Sequence, residues 1–174
     1  MYKQIELLEK SKANFITLNL AKQYLRVEHN LDDEMIQDML DMAVIAAENY
    51  IGLVLQDSSW KMTIYDALPS RIKFIHAPVL KIEQIKLFNG NDEISYLSKD
   101  NYIFDQRAEA LLIKKHYSIK KCEITYRVGY KELPAPIRQG ILEHLVKLYD
   151  VRGGDQALPT SAKSLYQAYK RVRL

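Results

Sequence analysis

The side chains able to do chemistry are few, and none stands at a working spacing from another. Four histidines, His29, His76, His116 and His144, are scattered over 174 residues. Metal sites need ligands at short, set spacings, such as two histidines one helical turn apart, and Glu143-His144 lacks the second histidine. The four read as structural or surface residues. Cys122, the only cysteine, alternates with apolar residues in a β-type run. It reads as a buried, inert thiol and excludes an internal disulfide. No serine lies in a G-x-S-x-G elbow, no glycine-rich phosphate loop exists, and no acid stands two residues before a lysine as in many nucleases. Asp32-Asp33-Glu34 is the densest acid group. At a helix start, such residues complement the positive end of the helix dipole rather than gather a metal. The reading is a non-enzyme with no catalytic residue, no metal and no cofactor.

What remains is charge and tyrosine. The net charge is only +3, yet residues 1–58 hold 5 Lys/Arg against 10 Asp/Glu, residues 59–137 hold 13 against 9, and residues 138–174 hold 7 against 3. The last fifteen residues carry Lys163, Lys170, Arg171 and Arg173, no acid, and Tyr166 and Tyr169 between them. Such a split suits copies meeting head to tail, or an acidic partner at the basic end; a solvated tail reads equally well. Lysines with tyrosines can touch phosphates, but no helix-turn-helix pattern or aromatic single-strand platform accompanies them. Twelve tyrosines against one tryptophan and four phenylalanines favour half-buried surfaces and interfaces.

These residues must be positioned by an α+β chain. At 174 residues and 48% hydrophobic content, one domain with a real core is expected. No apolar run approaches the ~18–20 residues of a membrane span. The start "MYKQIELLEKSKANF" lacks a signal peptide's apolar core, so a cytosolic product with no membrane partner is expected. "KQIELL" (3–8) reads as a short edge strand. Thr17 stands where an N-cap belongs, opening a helix over 17–27. A second helix follows over 32–51, with Ile36, Leu40, Ala43, Ala47, Tyr50 and Ile51 as its core stripe and Gly52 as its stop. From Asp41 on, "MAVIAAENYI" is apolar nearly all round. That predicts a central helix buried on more than one side, with an intersubunit contact as the alternative. Residues 59–128 read as short antiparallel strands: 59–65, 71–75, 81–88, 94–97, 101–105, 110–114 and 121–128. "NGND" (89–92) is a hairpin turn with Asn-Gly supplying positive φ, and Pro78 marks an edge or a sheet switch.

The most definite local feature is "YRVGYKELPAPIRQG" (126–140). Gly129 permits a backbone conformation closed to other residues. Pro134 and Pro136 preset φ, making Ala135 the expected N-cap and Pro136 the first residue of a long helix over 136–152. Ile137, Ile141, Leu145 and Leu148 point inward, and Glu143 and Lys147 form an exposed i, i+4 pair. "GGDQALP", with Gly153 and Gly154, reads as a hinge. Thr160 or Ser161 then caps a last, basic helix. The organisation expected is one connected domain over 1–152 and a hinge with a C-terminal arm over 153–174.

Two blocks carry a resemblance. "ITLNLAKQYLRVEHNLDDEMIQDMLDMAVIAAENYIGLVL" (16–55) resembles the opening of the head–tail connector proteins of tailed phages and gene transfer agents. In them a Thr-Leu-capped helix ending Leu-Arg-Val precedes an acidic-started helix ending Glu-x-Tyr-x-Gly. Thr17, Leu18, Leu25, Arg26, Val27, Asp33, Glu48, Tyr50 and Gly52 match here. The second block, "TYRVGYKELPAPIRQGILEHLVKLYDVRGG" (125–154), matches a strand ending Gly-Tyr, a Pro-x-Pro-Ile-Arg-Gln helix start and a Leu-Tyr-x-x-Arg end. Gly129, Tyr130, Pro134, Pro136, Ile137, Arg138, Gln139, Leu148, Tyr149 and Arg152 carry it. With "LYQAYKRVR" the likeness covers about 14–173. Gly140 departs from it, standing where a helix former is usual, at a propensity cost of ~1 kcal/mol.

The resemblance implies a structural virion protein of the neck, made in the host cytoplasm. It would form a ring of twelve beneath the portal protein after DNA packaging, and present a platform for a stopper or tail-completion protein. DNA would be only the non-specific content of the channel. On this reading Gly129, Tyr130, Pro134, Pro136 and Arg138 form a structural corner that holds the subunit's shape. Gly153 and Gly154 would let the last helix reach the portal through Lys163, Tyr166, Tyr169, Lys170, Arg171 and Arg173. The alternative is a DNA-packaging component like a small terminase subunit, whose usual sign, an N-terminal helix-turn-helix, is not found.

Overall fold

The structure is a computed structural model and describes residues 2–11, 15–90, 93–151 and 154–171. The α+β class expected from the sequence is what it shows. The chain gathers into two compact units: residues 1–12 with 56–130, and residues 13–55 with 131–174.

The first unit is mainly β, with one 3-10 turn over Lys99–Asn101. Eight strands form among the described residues: β1 Lys3–Lys10, β2 Ser58–Tyr65, β3 Arg71–Lys73, β4 Val79–Phe88, β5 Ile94–Tyr96, β6 Tyr102–Asp105, β7 Ala110–Ile113 and β8 Lys121–Val128. A five-stranded sheet runs β1-β2-β8-β4-β5 and a three-stranded sheet runs β3-β7-β6, with every pairing antiparallel. Strand β8 is central and alternates strictly. Cys122, Ile124, Tyr126 and Val128 are buried, while Lys121, Glu123, Thr125 and Arg127 lie on the other face. This period-2 pattern fixes its register, since a slip of one residue would put Lys121 into the core. The Phe74 ring, just beyond β3, packs 4.5 Å from Tyr126 and 6.1 Å from Phe104 of β6, so aromatic contacts join the two sheets. Strand β1 is an edge, as expected, and a register shift between Leu7 and Glu9 interrupts its pairing with β2.

The second unit is helical. Helix α1 spans Leu18–Leu25, α2 Asp33–Ile51, α3 Ala135–Asp150 and α4 Thr160–Tyr166, followed by a 3-10 turn over Gln167–Tyr169. Thr17 caps α1 as expected, its hydroxyl accepting from the Leu20 N–H at 3.2 Å. Gly52 ends α2 with φ 77, the left-handed geometry glycine adopts without steric cost. The core stripes meet: Ile36, Leu40, Ala43, Ala47 and Ile51 of α2 are buried with Ile137, Ile141, Leu145 and Leu148 of α3. Each such Ile or Leu contributes about 1.5–3 kcal/mol of transfer free energy.

Several local expectations need correction. Helix α2 is not buried all round: Tyr50 is half-buried, and Met42 and Ile45 lie on an open face at 43% and 52% exposure. Helix α3 starts one residue earlier than expected, with Pro134 at the N-cap; proline there needs no N–H to give. Neither Thr160 nor Ser161 caps α4, because Pro159 precedes it and Thr160 is already helical. Lys147 passes over Glu143 for Asp155 at 2.7 Å and the Ala157 carbonyl at 2.8 Å, two acceptors on the chain that returns beside it. Gly90 does not take a left-handed φ, although β4 and β5 pair as the hairpin predicted. Residues 91 and 92 of that turn lie outside the described residues.

Candidate partner-binding surfaces

The acid group at the start of α2 is used within the fold. Asp32 accepts a hydrogen bond from the Tyr149 hydroxyl at 2.7 Å, and Asp33 holds the Lys22 ammonium at 2.6 Å, with Asn30 also 2.6 Å from that nitrogen. These contacts staple the loop between α1 and α2, and they answer for two of the three carboxylates. Among the described residues no three His, Cys, Asp or Glu side chains gather where a cation could be held. His76 stacks on Trp60 with ring centroids 3.7 Å apart. His144 is buried in α3, its Nε2 3.0 Å from the Gln156 carbonyl, and burial holds its pKa below the ordinary value. The Cys122 thiol is buried, and desolvation pushes its pKa up to about 12. No helix among the described residues is long and apolar enough to cross a membrane.

The corner is built locally. Gly129 has φ 115, and a Cβ there would lie 2.5 Å from the Gln56 carbonyl oxygen and 2.9 Å from the Asp57 nitrogen. The Gln56–Asp57 peptide therefore passes where any side chain would stand. The Gly129 N–H donates to the Pro78 carbonyl at 2.9 Å. Beside it Arg127 makes a bidentate pair with Asp57, both N–H···O distances 2.9 Å. Tyr130, half-buried, follows Gly129. Pro134 accepts the first helical hydrogen bond, from the Arg138 N–H at 3.1 Å, and the Arg138 guanidinium reaches back to the Leu133 carbonyl at 3.4 Å. Pro136 sits in the first turn.

The C-terminal candidates divide. Tyr166 is fully buried, packed where Gly140 leaves space in α3, and it does not belong to a surface set. Lys163 and Tyr169 are half-buried, and Lys170 is exposed with its ammonium 4.6 Å from the Tyr50 ring centroid. The Arg171 N–H donates to the Ile51 carbonyl at 2.7 Å, tying the end of the described chain to the C-terminus of α2. Arg173, Arg152 and Gly153 lie outside the described residues. Gly154 is exposed, and its N–H donates to Val151 at 2.6 Å. Helix α4, with Ala162 and Tyr166 buried, belongs to the same unit as α3, beyond the boundary expected at 152/153.

Two further surfaces stand out. One is the open stripe of α2, within the run for which the sequence left an intersubunit contact as the alternative. The other is the solvent face of β4 and β5, where Ile94 and Tyr96 are 54% and 63% exposed beside Lys86 and Lys121. Its signal was the run "KKHYSIKK" (114–121), four lysines without an acid, which leads into β8.

Residues 15–86 match the family model of the phage gp6-like head-tail connector proteins. The likeness drawn from the first motif block is thereby shown, whereas the second block, 125–154, lies beyond the matched span. A search of curated proteins finds no match. Among solved structures, one similar chain comes from the neck of an empty gene transfer agent (GTA) particle computed with C6 symmetry. It has a TM-score of 0.78 and 15% identity, over 98% of this chain and 97% of that one. A second, from the virion of a native GTA particle, has a TM-score of 0.76 and 15% identity, over 98% and 96%. A third, from the neck of a native GTA particle computed with C12 symmetry, has a TM-score of 0.63 and 14% identity, over 96% and 97%. At such identities what is shared is the fold, and it is shared along nearly the whole chain.

Proposed function

We propose that this chain is a structural protein of the virion neck, a head–tail connector that joins a ring beneath the portal once DNA is packaged. The observation that carries the reading is the connector family match over 15–86. The fold shared with chains from the necks and the virion of GTA particles, over 96–98% of this chain, supports it beyond that span. Two of those chains belong to particles computed with C6 and C12 symmetry, which fits a ring of copies. A closed ring repeats one heterologous contact round its axis. The protein works without catalysis, is assembled in the host cytoplasm and ends in the neck. There one side of the ring meets the portal and the other receives the stopper or tail.

In this role the C-terminal segment contributes the portal contact through Lys163, Tyr169, Lys170 and Arg171, with Arg173 just beyond. Freeing α4 to reach outward would expose Tyr166, at a cost of about 2–3 kcal/mol. Docking in place, with Tyr166 still in the core, is therefore the cheaper arrangement. The test is to mix the purified chain with a portal protein from the same genome and image the complex by negative stain. A collar of added density at one end of the portal is expected. Portal rings left bare at high micromolar protein would contradict the proposal.

A further inference from the structure

Resting on the ring reading, the structure assigns the contact that closes it. We infer that the open stripe of α2 in one copy docks on the β4–β5 face of the next.

The stripe follows from helix geometry. At 100° per residue, Glu34, Asp38, Asp41, Met42 and Ile45 fall within one arc of about 100°, opposite the buried Ile36, Leu40 and Ala43. Three carboxylates therefore border two large apolar side chains that are about half exposed among the described residues. Asp41 accepts from Gln37 at 3.0 Å, while Glu34 and Asp38 make no side-chain hydrogen bond or ion pair among the described residues. From residue 27 to residue 60 the sequence has eight acids and no lysine or arginine.

The β4–β5 face has the same build with the opposite sign. Residues opposite one another in register share a face. Lys86 stands opposite Tyr96 and Glu123, and Phe88 stands opposite Ile94 and Lys121. All lie on the side of the sheet away from buried Cys122 and Ile124. Ile94 and Tyr96 are exposed, and the Lys121 ammonium rests 3.9 Å from the Phe88 ring centroid while pairing with Glu123 at 2.9 Å. Lys86 has no side-chain partner among the described residues. A cleft of about 360 Å³ opens beside them, between Tyr65, Phe88, Lys120 and Lys121. Strand β5 ends the sheet, so nothing within it overlies this edge.

Each surface thus presents two exposed apolar residues framed by charge, net negative at Glu34, Asp38 and Asp41 and net positive at Lys86, Lys120 and Lys121 around the single acid Glu123. Acid against acid would repel if like surfaces met, so the pairing is heterologous, the kind that closes rings. An acidic or basic patch alone would fit many partners. The apolar pair at the centre of both makes a second copy the fitting occupant.

Cysteine trapping tests this, because the native Cys122 is buried and its thiol pKa stands at about 12, so it stays silent. Ile45→Cys and Tyr96→Cys, both at exposed sites, are purified singly, checked for wild-type melting, mixed and oxidised. The mixed dimer should exceed either homodimer several-fold and fall with rising salt. Asp38→Lys should cut its yield about fivefold, and Lys86→Glu in the partner should restore it. A dominant Ile45→Cys homodimer would overturn the proposal in favour of a two-fold contact. Absence of the mixed dimer at high protein concentration would also overturn it. The ring reading is judged apart. Wild-type rings without this cross-link leave the ring and remove the contact, whereas a ladder from the double variant with no closed rings leaves the contact and removes the ring.

Discussion

Tyr166 and Gly140 occupy one volume. A Cβ placed on Gly140 would overlap the edge of the Tyr166 ring, 2.7 Å from Cζ and 2.8 Å from the hydroxyl oxygen. The glycine that weakens α3 by local propensity is what lets α4 lie close against it. Gly140→Ala should therefore destabilise the protein by about 1–3 kcal/mol through overpacking, despite the ~1 kcal/mol gained in helix propensity. Chemical denaturation checks this. In a Tyr166→Leu background the same substitution should cost much less, and equal costs in both backgrounds would break the link between the two residues.

Gly129 combines a φ of 115 with backbone atoms where a Cβ would stand. Gly129→Ala should lose at least about 2–3 kcal/mol, and Gly129→Val more, because backbone rather than a movable side chain must yield. Hydrogen exchange should quicken first at the end of β8 and at residues 56–57. Ring formation should fall with it, and normal rings from the valine variant would remove the corner from the account of assembly.

The Tyr149 hydroxyl donates to the Asp32 carboxylate at 2.7 Å. Tyr149→Phe should cost about 1.5 kcal/mol, the scale of a hydrogen bond to a charged group. Denaturation curves of wild type and variant measure it, and equal midpoints would remove this bond from the account of stability.

His144 has a pKa depressed in the folded chain, chiefly by burial and further by Lys147, against the raising effect of its bond to Gln156. The unfolded chain takes up this proton more readily. Stability is therefore full above the ordinary value of 6.5 and declines as pH falls below it. His144→Gln should flatten that part of the stability profile, and an unchanged slope would reassign it to other groups.

How far these features could be read in advance depended on their range. Period 2 in "KCEITYRV" and period 3.6 in "EMIQDMLDMAVIAAENYI" encode which face is buried, and Gly52 and Thr17 encode where helices stop and start. These are local, and they were legible. The open stripe of α2 was legible only as an alternative, because Met42 and Ile45 look the same in sequence whether the protein's own core or another chain covers them. Tyr166 was read as surface because a basic neighbourhood hides a core residue whose pocket lies 26 positions upstream. The return of the chain at Asp155 likewise redirected Lys147 away from the helical partner that spacing favoured.

The portal contact can be separated from folding. Deleting residues 160–174 would also remove Ala162 and Tyr166 from the core, so charge reversal is the cleaner change. Lys163→Glu with Lys170→Glu should leave the melting temperature within a few degrees of wild type, as surface substitutions usually do. It should weaken portal binding tenfold or more, read by co-sedimentation. Unchanged binding would move the contact elsewhere on the chain.

The most direct test of the central claim is electron microscopy of particles made when this gene is silenced in the phage or prophage that carries it. A connector acting after packaging predicts DNA-filled or leaking heads lying beside free, complete tails. Heads that never fill would place the protein in packaging instead, and normal infectious virions would contradict a neck function altogether.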